Sequence, residues 1–142
     1  MDKSIANIEA MLPHQKPMRM VSEIVAHNDD SLTATAIIDD DNPLLEQGAF
    51  PGHAALELLA QASGLFLGLR FAGETRPGAI VSIRNMQVHT PQLNVGKALT
   101  IETRFLGGSE TAAMFQGRVI SDETVAMEAM LTVSSFPEGV MQ

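Results

Sequence analysis

An α+β fold, one antiparallel sheet built around a single long apolar helix, is what this sequence of 142 residues predicts. Three observations carry that expectation. Apolar residues crowd nearly every side of residues 54 to 71. Segments that alternate apolar and polar residues follow one another after residue 77, and no room is left among them for the crossovers that parallel strands need. With 45% apolar residues the chain can fill one core, and no repeat, low-complexity tract or linker divides it, so residues 1–142 read as one domain.

The elements follow in order. Ile5, Ile8 and Met11 recur at helical spacing behind Ser4, which predicts a short helix ending at Leu12-Pro13. Met18 to Val25 and Leu32 to Ile38 read as two strands joined by the polar turn HNDDS, hence a hairpin. DDDNPLLEQGAFPG is a loop by its Asp, Pro and Gly content, and about twenty helical residues follow, from His53 to about Ala72, with Gly73 as the stop. Four strands come next. KALTIETRF (97 to 105) alternates cleanly, Leu99, Ile101, Thr103 and Phe105 to one side and Thr100, Glu102 and Arg104 to the other. Val125, Met127, Ala129, Leu131 and Val133 repeat the period, AIVSIRNMQVHT and TAAMFQGRVIS keep it less regularly, and GGSE and SDET are the turns.

Composition narrows the chemistry. Seventeen acidic against nine basic residues repel phosphate backbones and anionic lipid surfaces, so nucleic acid is not the expected partner. No cysteine occurs, which removes disulfides, thiolate metal sites and a cysteine nucleophile. The four histidines show no helical or hairpin ligand spacing with a nearby second carboxylate, so no metal site is expected. The N-terminus has no signal layout, and Glu57, Gln61 and Ser63 interrupt the longest apolar stretch, so the expectation is a cytoplasmic protein without a membrane span.

Glu57 is the anomaly of the central helix. An unpaired carboxylate buried there would cost several kcal/mol, on the order of a lost charge-solvation term, or would take up a proton. Two readings stand. In the structural one, Glu57 lies in the first or second turn and meets the positive end of the helix dipole, worth about 0.3 to 1 kcal/mol. In the functional one it is a general acid or base beside helix-terminal amides that can polarise a carbonyl oxygen. Glu57, Gln61, Gly64 and Gly68 fall at spacings of four, three and four, along one face that is polar at one end and bare at the other. Each glycine costs about 1 kcal/mol against alanine in a helix, which suggests close approach of backbone or ligand on that side.

LPHQKPM at 12 to 18, NPLLEQGAFPG at 42 to 52 and LELLAQASG at 56 to 64, in this order, resemble the hotdog-fold 3-hydroxyacyl-[acyl-carrier-protein] dehydratases, and more closely the divergent subgroup of aryl-polyene gene clusters. The resemblance is strongest from residue 12 to 68. It implies a helix wrapped by an antiparallel sheet, a homo- or heterodimer with another hotdog subunit, and active sites at the dimer interface. It also implies dehydration of a 3-hydroxyacyl thioester to the trans-2-enoyl thioester in fatty-acid or aryl-polyene biosynthesis. The substrate would ride on the phosphopantetheine of acyl carrier protein or of coenzyme A, with no further cofactor. By motif match Glu57 is the catalytic carboxylate, Gln61 the glutamine of the AQ pair, and the amides around Gly52 to Ala54 face the thioester oxygen. Gly52, Ala54, Gln61 and Gly64 are thus the expected substrate-binding positions.

The chain departs from the family at one point. Where the family reads Gly-His-Phe-Pro, with a catalytic histidine, this sequence has Gly48-Ala49-Phe50-Pro51. His53, one turn before Glu57, and His14, in the LPH motif, are the candidate replacements; His27 in a polar turn and His89 near a strand end read as solvent-facing. Lys16, Arg19, Arg70, Arg76 and Arg84 are the candidate basic patch for an acidic carrier. The nine methionines fit core filling or an adaptable acyl tunnel. Three functions remain open: a dehydratase using Glu57 with His53 or His14, a non-catalytic subunit of a heterodimeric dehydratase, and an acyl thioesterase.

Overall fold

The computed structural model describes residues 20–70, 78–109 and 111–135. The short helix expected behind Ser4, the LPH motif with His14, and the stop at Gly73 lie outside the described residues, as do Lys16, Arg19 and Arg76.

β1 (Val21–His27) and β2 (Ser31–Ile37) form the expected antiparallel hairpin. Its turn is built by one side chain: Oδ1 of Asn28 accepts from the amides of Asp30 and Ser31 and from the Ser31 hydroxyl, each at 3.0 Å. β1 runs about two residues later than its alternation suggested, because register shifts after Val21 and Ile24 break the period of two. The following loop closes through the backbone pair Glu46–Ala49, with Gln47 (φ 53°) and Gly48 (φ 81°) both left-handed between them.

Two short strands, absent from the sequence reading, come next to the helix: β3 (Phe50–Pro51) pairs with β5 (Gln92–Leu93). The expected continuous helix from His53 is divided into a 3₁₀ turn, Gly52–Ala55, and α1, Leu56–Arg70. A tighter first turn is a common way to start a helix, and Pro51 ahead of it brings no side-chain acceptor for the first amides.

β4 (Gly78–Val88), β6 (Ala98–Ser109), β7 (Ala112–Ser121) and β8 (Thr124–Ser135) are the four expected long strands. The sheet order is β1-β2-β6-β7-β8-β4, antiparallel throughout, so β8 inserts between β7 and β4 and leaves β4 at the far edge. The sheet curls about α1, which packs on β1, β2, β4, β6, β7 and β8. Leu99, Ile101 and Thr103 of β6 are buried with Phe105 packed beside them, as the alternation required. In β8 Ala126 is buried beside Met127, because a register shift against β7 falls at that point.

Leu58, Leu59, Ala62, Leu65, Phe66 and Leu67 are all buried, so α1 is covered on most sides. Phe66, Phe105 and Phe115 join helix to sheet with ring centroids 5.5 to 5.8 Å apart. Gly117 lets the two approach: a β-carbon there would stand 2.9 Å from a methyl of Leu59. The buried hydroxyls of Ser63 and Thr103 bond each other at 2.9 Å across the same contact.

Candidate functional site

The start of α1 gathers the site. Glu57 is half-buried in the first α-turn, and Gln61, one turn on, is 1% exposed. Nε2 of Gln61 donates to Oε2 of Glu57 at 3.1 Å, while Oε1 of Gln61 accepts from the backbone amides of Met20 at 3.0 Å and Val21 at 3.2 Å. The carboxylate is therefore partnered by a side chain that is itself anchored on β1. Burial without such partners would be costly; with them a carboxylate can stay in place at a half-buried position.

His53 is exposed, four residues before Glu57 at the same helix end, and Ala54 beside it is half-buried. Gly52 packs against the segment after β4. Its N–H donates to the carbonyl of Pro91 at 2.7 Å, and a β-carbon on it would lie 2.1 Å from the Thr90 carbonyl oxygen and 2.7 Å from a methyl of Val88. Glycine is needed here because the segment after β4 is seated directly on the helix start. The amide of Gly52 is engaged in that seat. The seat formed by Val88, Thr90 and Pro91 was not found by sequence reading; the VHTPQL stretch carried only the signal of a strand end.

Gly64 is half-buried, and a β-carbon there would meet no atom of the described residues within 4 Å. Among the described residues nothing makes the close approach expected at this position, and the glycine leaves a notch beyond Gln61 on the Glu57 face. Ala49, which the resemblance sets against the family's histidine, flanks the left-handed turn with its N–H and C=O both bonded to Glu46, so a methyl on a fixed backbone stands there.

The other described histidines stand apart. His27 is exposed at the end of β1. His89 is not simply solvent-facing: its Nε2 lies 2.9 Å from Oε2 of Glu128, with the two side chains 44% and 37% exposed. On either side of it, Val88 brings a methyl and Thr90 its backbone carbonyl to Gly52. Of the histidines in the described residues, His53 is the one at the helix start. Arg70, a candidate docking charge, donates to the Asp29 carbonyl and lies 5.0 Å from the centre of the Phe105 ring, which makes it a clamp between α1 and the β1–β2 turn; Arg84 remains exposed on β4. Among the described residues no three His, Asp or Glu side chains gather as a metal site requires, and no helix is long and apolar enough to cross a membrane.

Residues 6–141 match the ApeP-like family, described as ApeP dehydratase. The chain is similar to the 3-hydroxyacyl-[acyl-carrier-protein] dehydratase FabZ of Streptococcus equi subsp. zooepidemicus, 27% identical over 135 residues that cover 90% of this chain and 94% of that one. Among solved structures it is similar to the dehydratase heterocomplex ApeI:P of Xenorhabdus doucetiae, with a TM-score of 0.83, 24% identity, and coverage of 93% of this chain and 92% of that one. A hypothetical thioesterase with coenzyme A from Streptococcus pneumoniae shares the fold at a TM-score of 0.60 and 17% identity, covering 80% of this chain and 84% of that chain. The architecture is the hotdog fold.

Proposed function

The chain belongs to the ApeP-like dehydratase family, and from that premise we propose that it removes water from a 3-hydroxyacyl thioester with Glu57 as one half of the acid-base pair. The observation that carries this assignment is the half-buried carboxylate at the start of the central helix, held by Gln61. The C2 proton leaves to a base, its electron pair forms the C2=C3 double bond as the C3–O bond breaks, and an acid delivers a proton to the departing hydroxyl, giving the enoyl thioester and water. His53 takes the C2 proton and Glu57 protonates the hydroxyl. The amides of His53 and Ala54 stabilise the thioester oxygen as enolate character develops, and the notch at Gly64 accommodates the acyl chain. The elimination is redox-neutral. The one non-protein group it involves is the phosphopantetheine arm of the substrate, carried on acyl carrier protein, as in the FabZ relatives' name, or on coenzyme A.

A second arrangement is favoured by Ala49. The methyl at this position neither gives nor takes a proton, and the ApeI:P structure is a heterocomplex. In that arrangement a second hotdog subunit supplies the histidine and this chain supplies Glu57. The place for such a subunit is the edge strand β4, where Val81, Ile83 and Val88 are 58%, 45% and 42% exposed. The thioesterase alternative has the shared fold alone in its support.

The test is incubation of the purified protein with a 3-hydroxyacyl thioester on carrier protein, following the enoyl product by mass spectrometry, beside Glu57→Ala, His53→Ala and His14→Ala. Wild-type turnover that disappears in Glu57→Ala and in one histidine variant supports the first arrangement. An inert chain that a histidine-bearing hotdog subunit activates, provided Glu57 is intact, supports the second. Full activity of Glu57→Ala in both settings would remove Glu57 from the site.

A further inference from the structure

We propose that Gln61 is a positioning residue: it transmits the placement of the start of β1 to the Glu57 carboxylate, and substrate does not touch it. The proposal rests on Glu57 being the carboxylate of the dehydration site. Its geometry does not.

Two backbone donors, the amides of Met20 and Val21, converge on Oε1 of Gln61. Convergent donors decide which end of the amide is which. Turned over, the NH₂ group would face two N–H groups with no acceptor between them, and buried donors would be left unsatisfied. The NH₂ end must therefore point the other way, and there it donates to Oε2 of Glu57. With Gln61 1% exposed, this orientation is enforced by the interior of the protein.

The consequence falls on Glu57. A half-buried glutamate has three rotatable bonds, and proton transfer needs its oxygen within hydrogen-bond reach of the reacting group. Anchoring Oε2 through Gln61 to the β1 backbone selects one arrangement before substrate arrives, which is what preorganisation of an acid-base group consists of. The start of β1 and the helix carboxylate are thus joined through one buried side chain. This role differs from the substrate-binding one expected for Gln61 from its place in the AQ pair.

Gln61→Glu tests the proposal, because it keeps an oxygen for the Met20 and Val21 amides but turns a second oxygen on Glu57. Dehydration is measured on the chain alone, or with the histidine-bearing subunit where turnover requires it. The expected result is a kcat lower by about 100-fold with KM changed by less than about threefold, since misplacement of a reacting group acts on the chemical step. An NMR measurement keeps the test independent of turnover and of the folding of that variant: the Gln61 side-chain amide proton that faces Glu57 resonates downfield in the wild type and loses that displacement in Glu57→Ala. Unchanged kcat in a folded Gln61→Glu overturns the proposal, as does a raised KM at constant kcat, which would make Gln61 a substrate ligand. So does a Gln61 amide resonance indifferent to Glu57→Ala. If Glu57→Ala instead dehydrates at the wild-type rate, it is the assignment of Glu57 to the reaction that fails, and the NMR result still decides whether Gln61 holds it.

Discussion

Single residues decide how the helix meets its surroundings. Glu57 stood out in the sequence as a charge in an apolar stretch, and its spacing to Gln61 already put both on one face. What the spacing did not contain was the second anchor, the amides of Met20 and Val21 some forty positions earlier in the chain. Gly52 was legible as part of a motif, yet its reason is a carbonyl of Thr90 that only folding brings against it. Ser63 and Thr103 make the same point energetically. Both are buried, and each is the other's hydrogen-bond partner at 2.9 Å. Thr103→Val, which keeps the shape but removes the partner, is expected to cost about 1 to 3 kcal/mol in chemical denaturation, and adding Ser63→Ala is expected to restore most of that loss. Additive losses in the double variant would show that the two hydroxyls are not coupled.

At the scale of elements, the long strands were the most legible part, because a period of two with one buried face specifies which side of each strand turns inward. Boundaries and the short β3–β5 pair were not legible, since two-residue strands have no period to read. Turn chemistry explains one further feature. The β7–β8 hairpin turns on Asp122 (φ 50°) and Glu123 (φ 64°), both in the left-handed region that suits asparagine and glycine far better than glutamate. Glu123→Gly is expected to raise stability by about 0.5 to 1 kcal/mol, read as a higher melting temperature, because relief of the strained conformation outweighs the added freedom of the unfolded chain. An unchanged or lower melting temperature would mean that the turn tolerates glutamate without strain.

For the whole molecule, the position of β4 matters most. It is the first strand after the helix, yet β8 separates it from β7, and its outer edge is left unpaired by the described residues with Val81 and Ile83 exposed. A charge placed on that edge opposes pairing with another strand. Ile83→Lys is therefore expected to convert a dimer, formed with a second copy or with a histidine-bearing hotdog subunit, to a monomer in light scattering, and to abolish dehydration wherever the histidine comes from the partner. A variant that remains dimeric would move the interface away from β4.

By itself the sequence determined the fold class, the order of the long elements from β1 onward, the inward face of β6 and β8, and Glu57 as the residue most in need of an explanation. Those properties are local, written in periods of two and in the all-round apolarity of one helix. Tertiary structure alone decided that Gly52 seats the segment after β4, that His89 turns to Glu128, that Arg70 clamps a turn, and that Gln61 links β1 to Glu57. Each of these joins positions distant in the chain, and a contact between distant positions has no period; it exists once the sheet has curled about the helix and brought them within hydrogen-bond reach.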